Sequence, residues 1–149
     1  MLTTRIETDL DLQTSKLYFS DDQGTQISLY TYEAGNVTLD ARDSDNTITT
    51  EEFLGSLPIT ETFVQNIRLN FPGLKDCPLG DLDVGIRKNG NRWRYIMRLE
   101  TGLRIMDITL DCDLMEVTTK ARDEDGTMTW PQWLMYLQLL NRIKLEILG

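Results

Sequence analysis

The sequence predicts an α+β protein in which a ββββα unit occurs twice, two antiparallel meanders each followed by a helix and packed as one pseudo-two-fold domain. Three observations predict it. Part of the chain is written twice, the segments before each copy alternate polar and apolar residues, and each copy runs into helical spacing. Residues 37–57 and 117–137 agree at 10 of 21 positions at a constant offset of 80. Chance would give roughly one or two, so the agreement marks an internally duplicated structural unit. Val37-Thr38 returns as Val117-Thr118, Ala41-Arg42-Asp43 as Ala121-Arg122-Asp123, and Leu57 as Leu137. A chain of 149 residues suits one domain, with the first repeat at 1–72, a short joint at 73–80 and the second repeat at 81–149.

In the first repeat, residues 5–12 alternate over their later part, the period of a half-buried strand. Residues 15–20 place Leu17 and Phe19 on one face, Asp21-Asp22-Gln23-Gly24 reads as a turn, and 25–32 are rich in β-formers. Ala34-Gly35-Asn36 turns the chain into a strand at 37–41. A helix opens at Thr49 or Thr50, with Glu51 and Glu52 at its electropositive end. Gly55 and Pro58 are expected to interrupt it. A second segment at 59–70 lines up Phe63, Ile67 and Phe71 on one face before Phe71-Pro72-Gly73 ends it.

The second repeat keeps that order. Leu82, Val84 and Ile86 alternate with polar or small residues, and Asn89-Gly90 favours a tight hairpin. Trp93, Tyr95, Met97 and Leu99 share one strand face, with Arg92, Arg94 and Arg98 on the other. Strands follow at 103–110 and 115–121, then a helix over 130–148 with Thr129 as N-cap and Pro131 just inside it. Gly24 matches Gly102 at an offset of 78, whereas later positions match at 80. A hairpin turn near Asp113-Leu114 must therefore be two residues longer than its counterpart. Whether the two meanders share one sheet stays open at this stage.

Composition narrows the function. The chain carries 24 acidic and 15 basic side chains, a formal charge of −9 and no histidine. That field disfavours direct contact with nucleic acid or an anionic membrane and favours a basic partner. Absent histidine removes the commonest general base and transition-metal ligand. No nucleophile constellation or phosphate-binding glycine loop is readable, so no enzyme is expected. No apolar run is long enough to span a membrane, and a soluble, cytoplasmic protein with free Cys77 and Cys112 thiols is the expectation.

Two sets of residues suggest a binding surface. The helix over 130–148 carries a broad apolar stripe through Trp130, Trp133, Leu137 and Leu140, wide enough to cover a partner or a second copy of the chain. The pairs Asp9/Asp11, Asp81/Asp83 and Asp111/Asp113 each flank an apolar residue, which alternation would place on one strand face. The expected function is an acidic, non-enzymatic protein-binding module of the inhibitor, immunity, chaperone or assembly-factor kind. Its partner would be basic or offer an apolar groove, with a homodimer as the variant. A small-ligand binder with a pocket between the sheets, lined by Trp93, Tyr95, Tyr30 or Tyr32, is a further alternative.

The repeated loop offers a third. Asp43-Ser44-Asp45-Asn46-Thr47-Ile48-Thr49-Thr50-Glu51-Glu52 resembles the later part of an EF-hand calcium loop. That resemblance implies Asp43, Asp45 and Glu52 as calcium ligands, with Glu52 bidentate and Thr47 offering its backbone oxygen. Ala41 and Ala121 stand where the family has its first aspartate, and Gln132 where it has the last glutamate. Read without calcium, the same residues form a turn and open a helix, and no cofactor is then needed.

Overall fold

The computed structural model describes residues 3–21, 23–41, 46–74, 82–99, 104–121 and 127–149. It is α+β, with two antiparallel five-stranded sheets and two helices. In chain order these are β1 (Thr3–Asp9), β2 (Thr14–Ser20), β3 (Gln26–Glu33), β4 (Asn36–Ala41), β5 (Asn46–Thr49) and α1 (Thr50–Asn70). They are followed by β6 (Leu82–Asn89), β7 (Arg92–Leu99), β8 (Arg104–Asp111), β9 (Glu116–Ala121), β10 (Thr127–Thr129) and α2 (Trp130–Leu148).

Each unit has one strand more than the sequence suggested, and that strand belongs to the other half. The sheets run β1-β2-β3-β4-β10 and β5-β9-β8-β7-β6. Each unit keeps its four-stranded meander and its helix, with a short exchanged strand between them. The exchange is symmetric to the residue. Thr47 lies opposite Thr118 and Ile48 opposite Val117, just as Thr127 lies opposite Thr38 and Met128 opposite Val37. The amide of Thr50 donates to the Met115 carbonyl at 2.9 Å, and that of Trp130 to Gly35 at 2.8 Å. Earlier in each half the correspondence is 78: Leu17 faces Tyr30 as Tyr95 faces Ile108, and both second strands break register at the same place, after Phe19 and after Met97. The change of offset falls at the hairpin expected to carry it, since two residues join β3 to β4 and four join β8 to β9.

Both helices open on the same device. Thr49 accepts from the Glu52 amide while the Glu52 carboxylate accepts from the Thr49 amide, each at 3.0 Å. Thr129 and Gln132 repeat this reciprocal cap, which satisfies two otherwise open donors per helix. The expected break at Pro58 does not occur, because α1 runs unbroken from Thr50 to Asn70. Pro58 has no N–H for the Leu54 carbonyl, and the helix continues past it because its buried face, Phe53, Thr60, Phe63, Val64 and Ile67, runs through that point, while hydroxyls bond other carbonyls nearby. Ser56 donates to the Phe53 carbonyl at 2.7 Å, Thr60 to Ser56 at 2.9 Å and Thr62 to Pro58 at 3.1 Å.

The first strand stops earlier than alternation suggested. Asp9 ends β1, and its Oδ1 accepts from the amides of Asp11 and Leu12 at 3.0 and 3.1 Å. This Asx turn competes with the ladder and ends it. Leu10 and Leu12 therefore stand in the turn, 61% and 70% exposed, instead of on a buried face.

The core is one cluster fed by both sheets and both helices, including Leu17, Val37, Phe63, Ile67, Met97, Ile108, Val117 and Met128. The exchanged Met128 is fully buried, while its counterpart Ile48 is half-buried.

Candidate functional site

The structure separates the two sets of residues that the sequence combined. Trp130, Trp133, Leu137 and Leu140 are 1%, 0%, 9% and 5% exposed, so the apolar stripe of α2 faces the chain's own core. Trp133 lies 5.7 Å from the Tyr30 ring, 5.8 Å from Phe63 and 5.5 Å from Trp130, measured between ring centroids. These four, expected from the sequence to meet a partner, are packed inside the single chain. The inner face of the first sheet needs an aromatic cover, and α2 supplies it.

The aspartates fare differently. Asp9 and Asp11 are exposed at the β1–β2 tip, but in a turn and not side by side on a strand. Asp111 and Asp113 form the same turn at the β8–β9 tip, where the Asp111 Oδ1 accepts from the amides of Asp113 and Leu114 at 3.0 Å each. Asp83 lies on β6 opposite Arg98, and Asp81 lies outside the described residues. Of the resemblance to a calcium loop, Asp43 and Asp45 also lie outside them, while Glu52 is engaged in the cap of α1. Among the described residues no group of three or more Cys, Asp or Glu is placed to hold a metal ion.

Charge is unevenly shared between the halves. Residues 1–74 hold twelve acidic and four basic side chains, whereas residues 75–149 hold twelve and eleven. On the second sheet the carboxylates are largely answered. Asp107 takes Arg94 at 2.6 Å and Arg104 at 3.3 Å, and Asp111 takes Arg92 at 3.4 Å. The Asp107 carboxylate holds the Arg94 guanidinium above its ordinary pKa. The acidic surface therefore belongs to the first half.

At the β1–β2 tip that surface meets exposed apolar carbon. Leu10 borders two depressions. One is lined by Glu7, Asp9, Asp11 and Leu12 with Lys16 among them, and the other mainly by Tyr32, Phe71, Pro72 and Leu74 at the end of α1, with Gln13 and Asn70 beside them. Sequence reasoning found the aspartates but missed Leu10 and Leu12, because it read both as strand residues with a buried face. The Asp-x-Asp-Leu spelling shared by 9–12 and 111–114 is the signal that identifies both segments as turns.

Buried hydroxyls form the other polar feature. Tyr30 donates to the Tyr136 hydroxyl at 3.3 Å, and Thr119 also bonds Tyr136. Burial, then the neighbouring Tyr136, pushes Tyr30 well above the ordinary tyrosine pKa. Burial raises Tyr136 as well, with the bonds to Tyr30 and Thr119 partly offsetting it. Tyr95 is pushed up to about 12 by burial and by the Glu146 charge, against the pull of Arg142. Among the described residues its buried hydroxyl has no hydrogen-bond partner. A tyrosine with a raised folded pKa contributes stability that is intact below the unfolded value near 10 and is lost as pH rises toward the folded value. Stability is thus expected to fall between pH 10 and about 12. Tyr95→Phe should flatten part of that fall in urea titrations followed across the range, and an unchanged slope would place Tyr95 in contact with solvent.

What fold and site together define is a two-sheet α+β protein with exchanged strands, an acidic and apolar tip and no described helix long and apolar enough to cross a membrane. No protein-family model matches the chain, and neither a characterised protein nor a solved structure matches it.

Proposed function

We propose that the protein is an acidic, non-enzymatic binding module whose partner is a basic, amphipathic protein segment received at the β1–β2 tip. The observation that carries this reading is Leu10, which stands between an acidic depression and an apolar one. A segment with lysine or arginine beside a leucine-sized side chain fits both at once. Charge draws it in and sets its register, and apolar burial holds it. The apolar part of the interface thus moves from α2 to the tip, while Asp9 and Asp11 keep the role expected from sequence. The excess acidity of residues 1–74 adds a longer-range attraction that salt screens over about 8–10 Å.

The test compares two tips with the same turn. Asp9→Asn/Leu10→Ser/Asp11→Asn removes charge and apolar surface but preserves the turn, because an asparagine oxygen accepts the same amide bonds. Asp111→Asn/Asp113→Asn/Leu114→Ser likewise removes two charges and one exposed leucine at the β8–β9 tip. Partner capture in the cells that make the protein should be salt-sensitive, lost in the first variant and kept in the second. Equal capture by both would remove the β1–β2 tip from the interface.

A further inference from the structure

Each sheet ends in one short exchanged strand and one long strand, and among the described residues the long ones, β1 and β6, are paired on a single side. An open strand presents a row of amides and carbonyls ready to pair with another chain. Proteins blunt such edges with lysine, proline, bulges or a mid-strand glycine. β6 has Gly85 at its middle and Arg87 and Lys88 side by side. β1 has none of these devices. Its seven residues, Thr-Thr-Arg-Ile-Glu-Thr-Asp, include no glycine, proline or lysine, and its register with β2 is unbroken from Thr3 to Asp9. Six of the seven are exposed, and Ile6 is half-buried at the margin of the core.

Outward from Ile6 the strand reads alike in both directions, except that the charges change sign. Thr4 mirrors Thr8, and Arg5 mirrors Glu7. Thr4, Ile6 and Thr8 lie opposite Phe19, Leu17 and Ser15 and share the core face, whereas Arg5 and Glu7 lie opposite Tyr18 and Lys16 on the outer face. On that face Arg5 meets Glu7 at 3.2 Å and stands over the Tyr18 ring at 4.3 Å. Both charged side chains are more than half exposed, so their pairing contributes little within one chain.

We propose that β1 is the docking edge for a second copy of this chain, whose own β1 pairs antiparallel about a two-fold axis at Ile6 and joins the two first sheets into one. Arg5 then lies opposite the partner's Glu7, and Glu7 opposite the partner's Arg5. Thr4 lies opposite the partner's Thr8, and the two isoleucines cover each other at the centre. Opposite charges and threonine pairs facing across a ladder both favour it. Neighbouring registers lose this match. A slip of one residue turns the two core faces to opposite sides of the joined sheet. A slip of two sets Arg5 against the partner's Arg5, or Glu7 against the partner's Glu7. A seven-residue edge buries less than the about 1,200 Å² of a stable interface, so the dimer is weak and exchanges with monomer. Repulsion between two acidic first halves makes it tighten as salt rises, opposite to capture at the β1–β2 tip. The tip variant Asp9→Asn/Leu10→Ser/Asp11→Asn leaves Arg5, Ile6 and Glu7 in place, so pairing does not depend on the tip's function.

The test exchanges the charges. Arg5→Glu gives the edge two glutamates and Glu7→Arg gives it two arginines, while both chains stay net acidic. Sedimentation velocity and amide NMR of the full wild-type chain, up to about 1 mM, should show self-association with shifts centred on β1. Each variant alone should associate about tenfold more weakly, because two like-charge pairs replace two opposite ones. An equimolar mixture of the two should regain wild-type strength, since every arginine again faces a glutamate. Misfolding or a general change of surface charge cannot produce that recovery. A monomeric wild type at that concentration, variants that associate as wild type does, or a mixture no stronger than its components would each overturn the proposal. Should either variant fail to fold, Ile6→Cys decides, in a chain with Cys77 and Cys112 replaced by serine. The two-fold sets position 6 against itself at about 4.5–5.5 Å between Cα atoms, within disulfide reach, and holds position 4 far from its own copy. Oxidation should link Ile6→Cys chains and spare Thr4→Cys chains, and equal linking of both would overturn the pairing.

Discussion

Replacing Trp133 with alanine is expected to lower folding stability by about 3–5 kcal/mol, measured by urea denaturation. Trp133 is wholly buried and packs edge-on or tilted against three other aromatic rings. Its buried Nε1 has no acceptor among the described residues, so the loss comes from packing and not from a broken hydrogen bond. Trp133→Phe should cost less, because it keeps an aromatic filler and removes the unsatisfied donor. For a domain whose whole stability is typically about 5–15 kcal/mol, the alanine variant stands near the edge of folding. A residue held for an external partner would behave in the opposite way, leaving stability intact and abolishing association. A loss below about 1 kcal/mol would therefore return the α2 stripe to the surface.

Met128→Asp is expected to have the second large effect, and a diagnostic one. Met128 is fully buried in a strand of three residues that lies in sequence next to α2 but pairs with β4 of the other half. A carboxylate there has no cation among the core residues around it and no water, a cost of 4 kcal/mol or more in the usual range of such changes. Its counterpart Ile48→Asp should cost markedly less, because Ile48 is only half-buried and the charge can reach solvent. Amide hydrogen exchange reads where the damage goes. Under conditions that keep Met128→Asp folded, protection should fall first in β4 and β3, far away in sequence, because the strand they lose comes from the other half. Loss confined to α2 and the second sheet would mean that the exchange of strands contributes little to holding the halves together.

Much of this fold was legible in the sequence, and the illegible part has a common cause. Local signals succeeded. Asn89-Gly90 marked its hairpin, Leu17 and Phe19 marked a buried face, the limits of α2 followed from Thr129 and Pro131, and the shift from 78 to 80 located the longer turn. The exchanged strands were missed because three or four residues are too few to show a period of two, and their partners lie in the other repeat. Pro58 misled because one missing amide bond does not stop a helix whose face on both sides of it, Phe53, Phe63, Val64 and Ile67, is held in the core. Leu10 misled because an Asx turn and a strand share the same alternation for three residues.

The candidate site was half legible. Asp9 and Asp11 were found by charge alone. The apolar partner surface was placed on α2, since a stripe facing the core and a stripe facing a partner read alike in sequence. Tyr30 was named as a pocket residue, but Ser28, Thr60, Thr119 and Tyr136 come together only in three dimensions, from two strands of different sheets and two helices.

The exchanged strands also bear on how the chain is born. A first half with its own fifth strand could finish folding while the second was still being made. Here β4 must keep an unpaired edge until residue 129 has been made, and β5 has no partner until β9 has been. At about 5–20 residues per second that is a wait of seconds, with a strand edge open to any other chain nearby. Neighbouring copies on one messenger are the nearest other source of a β10, so early pairing of β4 with its own chain's β10 is what keeps each copy closed on itself.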